Sequence, residues 1–330
     1  MLSKKLVLIS IIQMSNPTSG LGWASHMLAL TELLRQYGPP SPSQPMDPSL
    51  WQMVRWHSLG ISIAERKSSF LASPDWKGVS IPWVASPLIN DLLDIAVDLP
   101  GVLEQVDPCT QTKFSDEQDS TAAIEDETVQ RVLDSCLSLN QNLEQWRLEL
   151  QKSAPEPLEY HVVTLPEALP LEAGNPFPTG LAFPTILVGK MYCHYWALQI
   201  TLQDAIANLI EFIYQRYPTV YQYSAMIDAQ ETADLCARNI CQSVAYLTSA
   251  ELGTTGTQST AWPLIVAQKH FRRLTQMNEE ARVKDQWCEQ RVEELIEHGY
   301  TWARTFSLIE KENYAVTGDL GQHITQHMQC

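Results

Sequence analysis

A chain of 330 residues with 45% apolar side chains has enough hydrophobic content to bury a core, which excludes wholesale disorder. It carries 22 Lys and Arg against 38 Asp and Glu, a net charge of −16, and residues 81–175 alone hold 18 acidic side chains and 4 basic ones. Phosphate backbones are bound by Lys and Arg that release counterions. A chain this acidic is therefore not expected to bind DNA directly.

Lys4 and Lys5 precede an apolar run over residues 6–12, the order of a secretory signal, yet no small-residue cleavage site follows. The run reads instead as a buried helix fragment, the remnant over residues 1–20 of an N-terminal helix whose start is missing. Residues 23–37 keep a helical period and stop at Gly38-Pro39-Pro40. Five prolines in "PPSPSQPMDP" make a loop, after which helices are expected over about 49–70 and 86–105. The acidic stretch 113–127 is expected as a solvated loop. It leads into a helix with the stripe Val132, Cys136, Leu139, Leu143, Trp146 and Leu150.

Residues 153–180 hold six prolines and one extended patch, "YHVVTL", and read as a long crossover with at most one isolated strand. A long helix over 184–217 follows. Its Tyr192, Tyr195, Trp196, Phe212 and Tyr214 are expected in the core. Three amphipathic helices then succeed one another. The first has the stripe Ala229, Ala233, Cys236, Ile240, Val244, Leu247, and the second has Leu264, Ala267, Phe271, Leu274. The third runs Cys288, Val292, Leu295, Gly299, Trp302, Phe306, Ile309, at alternating steps of four and three. Between the first two, "ELGTTGTQSTAWP" reads as a loop with Gly253 at a helix C-terminus in a positive-φ conformation and Pro263 in the next helix's first turn. No β–α alternation, repeat or glycine fingerprint appears. The expectation is an all-α fold: a single large helical domain over 21–310 with long Pro-rich loops, then a disordered tail over 311–330.

Several clusters invite a chemical reading. Asp91, Asp94 and Asp98 in "NDLLDIAVD" have helical spacing, and carboxylates on one face can hold Mg²⁺ for a diphosphate substrate, as in an all-α terpenoid-type enzyme. The adjacent aspartate pair and the second metal triad of such enzymes are absent, so a solvated acidic helix face is the favoured reading. His323, His327 and Cys330 have chelating spacing but fall in the tail. Cys193 beside His194 suggests a nucleophile and base, yet neighbouring helical residues diverge. Cys236 and Cys241 point to different sides of their helix. Lys269, Arg272 and Arg273 form a small basic patch, read as a solvated face. The seven cysteines are scattered without a C-x-x-C pair, which fits buried free thiols in a reducing compartment and excludes a zinc cluster. The longest uncharged apolar-rich stretch, 191–203, is well short of the ~20 residues of a membrane span. No cofactor, metal or catalytic residue is expected.

Taken in order, several segments resemble the middle homology region of fungal-specific transcription factors, the helical regulatory domain that usually follows a six-cysteine zinc cluster. "GLGWASHMLALTELLRQYGPP" is similar to its Gly-Trp-x-x-His helix, and "SSFLASPDWKGVSIPW" to its Phe-Leu, Pro and Trp bridge. "LLDIAVDLPGVLEQVD" resembles its Leu-rich helix interrupted by Leu-Pro, and "KMYCHYWALQITLQ" its Tyr-Trp helix. "NICQSVAYLTSAELGTTGTQSTAWPLIVAQKHFRR" is the most specific match, to the C-terminal signature. The resemblance spans about residues 20–306 and implies a nuclear transcriptional regulator or co-regulator that acts through protein contacts, in the setting of a biosynthetic gene cluster. The implied partner is a zinc-cluster transcription factor or a second copy of the chain.

Two alternatives stand beside it, a truncated and inactive regulator fragment and the Mg²⁺-dependent terpenoid-type enzyme. Leu295, Trp302 and Phe306 on the third stripe either close the core or dock a partner helix.

Overall fold

A computed structural model of the chain describes residues 20–41, 46–79, 87–111, 126–153, 160–164, 175–276 and 278–304. Its helices are α1 (Gly20–Tyr37), α2 (Pro48–Glu65), α3 (Pro87–Ala96), α4 (Leu99–Gln111), α5 (Asp126–Ser153), α6 (Ile186–Arg216), α7 (Val220–Leu247), α8 (Gly253–Leu274) and α9 (Glu279–Glu297). The fold is all-α. Its one sheet element among the described residues is a two-stranded antiparallel ribbon, β1 (His161–Thr164) with β2 (Thr179–Ala182), in the register His161↔Ala182 to Thr164↔Thr179. "YHVVTL" thus finds a partner strand in "TGLA", a segment too short and too small-sided to read as a strand by itself.

The centre is α6. Thr185 caps it by accepting a hydrogen bond from the Val188 amide at 3.2 Å, and its side chains are buried almost without interruption from Val188 to Phe212. A helix that is apolar all round must be wrapped on all sides. Here α5, α7, α8 and α4 do the wrapping, α9 packs on α8, and β2 lies on α7. One continuous apolar cluster runs from Met27 to Ala303.

Three polar residues of α6 fall on one line. Tyr195, Gln199 and Gln203, each four residues apart, face α5: Tyr195 donates to Glu144, Gln199 donates to the same carboxylate at 3.1 Å, and Gln203 donates to Asn140 at 3.0 Å.

Four boundaries differ from the sequence expectations. The helix expected over 86–105 is two helices, because Asp98 interrupts it and Pro100, which lacks an N–H, sits in the first turn of α4. The helix expected to reach residue 70 ends at Glu65. There Arg66 takes φ +52, and Lys67 and Arg66 donate to the carbonyls of Ser62 and Ile63. The stretch after Gly253 is helical rather than a loop. Gly253 does take a positive φ, +58, but it opens α8, so Pro263 lies well inside that helix and not in its first turn. The hydroxyls of Ser259 and Thr260 bond back to the carbonyls of Thr255 and Thr257, so these buried hydroxyls are satisfied within the helix.

The third stripe is also not one helix. α9 stops at Glu297, where Tyr300 and Gly299 donate to the carbonyls of Leu295 and Ile296, both at 3.0 Å, and Gly299 takes φ +98. This closes the helix with a left-handed glycine. A further turn then returns Trp302 and Ala303 to the core. Residues 1–19 and 305–330, with the remnant helix, Phe306, Ile309 and the tail, lie outside the described residues, as do residues 112–125 of the acidic loop.

Candidate functional site

The three aspartates do not present a common face to a metal. Asp94 pairs with Arg55 of α2, a residue only 1% exposed, and its other oxygen accepts the Gly78 amide at 2.7 Å. Asp98 has left the helix and takes both of its hydrogen bonds from the Lys77 ammonium, at 2.5 and 2.6 Å. Asp91 makes no such pair, and burial, reinforced by the nearby Asp94, pushes its carboxyl above the usual range. The acidic face therefore anchors α2 and the segment around Trp76 to α3 and α4. It is not simply solvated. Among the described residues, no group of three or more His, Cys, Asp or Glu is placed to hold a metal ion, and His323, His327 and Cys330 lie outside them.

Cys193 and His194 diverge. Burial drives the Cys193 thiol up to about 12, while burial and then the Lys190 charge drive His194 down to about 3. A thiol and an imidazole shifted that way are an inert pair, since the thiolate is the nucleophile. Cys236 and Cys241 also part company: Cys241 lies 3.5 Å from Cys288 of α9, sulfur to sulfur, whereas Cys236 lies near enough to Glu144 for that carboxylate to act on its thiol. The basic patch is not a free solvated face. Arg273 pairs with Asp204 of α6, and Arg272 pairs with Asp285 of α9 at 3.1 Å. Burial would raise Asp204, yet Arg273 and His270 overcome it and hold the carboxyl below its ordinary range.

Of the residues read as a possible partner interface, Leu295 and Trp302 are 6% and 4% exposed, so both close the core. Phe306 lies outside the described residues. The surface aromatic character sits elsewhere, at the end of the bundle where α5 begins and α6 turns into α7. An open cleft of about 560 Å³ is bounded there by Asp126, Arg131, Phe212, Arg216 and Tyr217. Arg216 lies over the Phe212 ring, 4.8 Å from its centroid, and donates to Asp126 at 2.7 Å. The Tyr217 hydroxyl donates to the same carboxylate, also at 2.7 Å. That bond and the Arg216 bond hold Asp126 below the usual carboxylate range.

Tyr217 at the cleft is 55% exposed, and Tyr221 and Tyr223, outside its lining, are 82% and 52% exposed. Large exposed apolar side chains elsewhere among the described residues are scattered leucines (Leu33, Leu137, Leu148, Leu235). Sequence reading assigns the aromatics of this long helix to the core, and Tyr192, Tyr195, Trp196 and Phe212 are there, but Tyr214 is half-buried. The signal for the exposed cluster is "YPTVYQY", where Pro218 ends one helix and releases its flanking tyrosines. The cleft thus carries a guanidinium, a carboxylate fixed by two hydrogen bonds, and exposed tyrosines close by.

No family model matches the chain, and neither a curated protein nor a solved structure matches it. No helix among the described residues is long and apolar enough to cross a membrane.

Proposed function

We propose that this chain is a helical transcriptional regulator or co-regulator that acts in the nucleus through protein–protein contacts and carries out no catalysis of its own. The resemblance to the regulatory domain of fungal zinc-cluster transcription factors supports it, and so does the destination of the reactive side chains. Asp94, Asp98, Arg272 and Arg273 are each engaged in an ion pair between elements, and Cys193 and His194 are buried in inert states. The observation that carries the reading is the row of exposed tyrosines beside the α5–α6 cleft. Tyrosine is a residue type enriched in protein interfaces and in their energetic centres.

The partner is the helical region of a zinc-cluster regulator, with self-association as the competing outcome. The terpenoid-type reading, built on Asp91 and Asp94, lacks support because Asp94 already pairs with Arg55 and accepts the Gly78 amide.

The test is co-purification with candidate regulators, light scattering and transcript measurement on deletion. Wild-type protein is expected to recover a zinc-cluster regulator, and a Tyr221→Ser, Tyr223→Ser double variant to weaken recovery at least about tenfold, as loss of an interface anchor does. A strictly monomeric protein that recovers no regulator and changes no transcript would overturn the proposal.

A further inference from the structure

Carboxylates outnumber cations around the exposed tyrosines. The cleft beside them is lined by Asp126, Glu127 and Asp134 against Arg131 and Arg216, and Arg216 is already bound to Asp126. Among the described residues Glu127 has no ion pair, and Asp134 accepts only the Gln130 amide, at 2.9 Å. On α7, Asp228 lies two turns beyond Tyr221 on the same face, and Glu231 follows one turn later. Both are exposed and neither is in an ion pair among the described residues. No Lys or Arg occurs between Tyr217 and Ala237.

Arg216 shows how this surface holds a cation. Its guanidinium lies over the Phe212 ring, 4.8 Å from the centroid, and donates to Asp126, with a ring beneath and a carboxylate at the side. The same two groups recur nearby in the exposed rings of Tyr217, Tyr221 and Tyr223 and in the carboxylates of Glu127, Asp134 and Asp228. A guanidinium suits both, because it is weakly hydrated, stacks on aromatic faces and pairs with carboxylates. At longer range a net charge of −16 draws a basic segment in and repels an acidic one. Arg131, which sits between Glu127 and Asp134 on α5, opposes such a segment, but the acids around it are more numerous.

We propose that the α5–α6 cleft and the outward face of the first turns of α7 dock an arginine-bearing basic segment of the partner. Its guanidinium groups lie on the tyrosine rings and pair with Glu127, Asp134 and Asp228. The inference rests on the protein-contact reading above and names the chemistry of the partner at that surface.

Fluorescence anisotropy with the full chain at physiological salt tests it, using a short labelled peptide that alternates arginine with alanine and its lysine and glutamate counterparts. The arginine peptide is expected to bind, the lysine peptide at least about threefold more weakly, and the glutamate peptide not at all. Glu127→Gln with Asp134→Asn should weaken the arginine peptide at least about fivefold, the scale of two surface ion pairs. Arg131→Gln should tighten it, and Tyr221→Leu should shrink the advantage of arginine over lysine. Asp75→Asn with Glu297→Gln removes the same charge from exposed acids outside the cleft and should change affinity less than about twofold. All of these side chains are exposed, so each variant should keep the wild-type melting curve to within a few degrees. Equal loss in the cleft pair and the control pair would reveal a diffuse charge effect and overturn the proposal. So would equal binding of the arginine and lysine peptides, binding of the glutamate peptide, weakening by Arg131→Gln, or no binding at millimolar peptide. Recovery of a zinc-cluster regulator is a separate readout. A regulator recovered without this peptide pattern sinks the basic segment alone, and the pattern without a regulator supports the docking surface while the regulator reading falls.

Discussion

Gly256 shows how much one hydrogen atom can decide. A Cβ added there would lie 2.1 Å from the carbonyl oxygen of Leu247, a backbone atom that cannot swing away. Gly256→Ala is expected to destabilise by about 2 kcal/mol, the ordinary cost of overpacking, read as a lowered denaturation midpoint at unchanged slope. Equal midpoints would show that the α7–α8 junction is slack. Gly253, three residues earlier, has open space around it but a φ of +58, so Gly253→Val should cost about 1–3 kcal/mol through backbone strain alone. The two glycines differ in legibility. A glycine near the end of a patterned helix announces a positive φ, whereas the need for Gly256 arises only when two helices meet. Asp94 is similar: its spacing with Asp91 is visible in the sequence, but Arg55, 39 residues away, is not. Asp94→Asn leaves Arg55 with an unpaired buried charge and should cost about 3 kcal/mol; Mg²⁺ should leave the wild-type melting curve unchanged.

Apolar periodicity finds most of the helices because burying a stripe is what makes each of them stable. It misplaces their ends where something other than burial stops them. The steps of four and three continue through Gly299 to Trp302, and both halves do face the core, yet Gly299 turns the backbone between them. Likewise the stretch after Gly253 looks like a loop by composition, and it is helical with Gly256, Ser259, Thr260 and Ala261 buried. The polar seam between α5 and α6 is the least legible element-scale feature, since Gln199 and Gln203 look like interruptions of an apolar helix. Paired with Glu144 and Asn140 they fix the register of two helices. Glu144→Ala should strand the Tyr195 hydroxyl and one Gln199 donor, costing about 2–3 kcal/mol. A cost below 0.5 kcal/mol would mean that water or a neighbouring side chain replaces the carboxylate freely.

At the scale of the whole molecule, two charge properties have measurable consequences. His57 and His194 are held near 4 and 3, below the 6.5 of an exposed imidazole, chiefly by burial. The unfolded chain therefore binds more protons than the native one between these values. Stability contributed by the neutral histidines is fully present above pH 6.5 and is lost as the pH falls toward 4, at up to about 1.4 kcal/mol per pH unit for each. Denaturant melts at pH 7, 6 and 5 should show this slope, and His57→Gln should remove about half of it; a flat profile would contradict their burial in the neutral form. The second consequence concerns nucleic acid. Net charge is only part of that argument, because a local basic face can bind DNA on an acidic protein. Here the basic patch read from sequence is tied down, with Arg273 on Asp204 and Arg272 on Asp285 and Glu289, and Lys77 and Arg66 are likewise paired with Asp98 and Asp107. A contact from any of these side chains to a phosphate would first have to break such an ion pair, against the long-range repulsion of 16 excess negative charges. This chain by itself should therefore show no mobility shift with duplex DNA at physiological salt, and none should emerge when salt is lowered to 50 mM. A shift that strengthens steeply as salt falls would reveal counterion release from a basic surface and overturn the prediction.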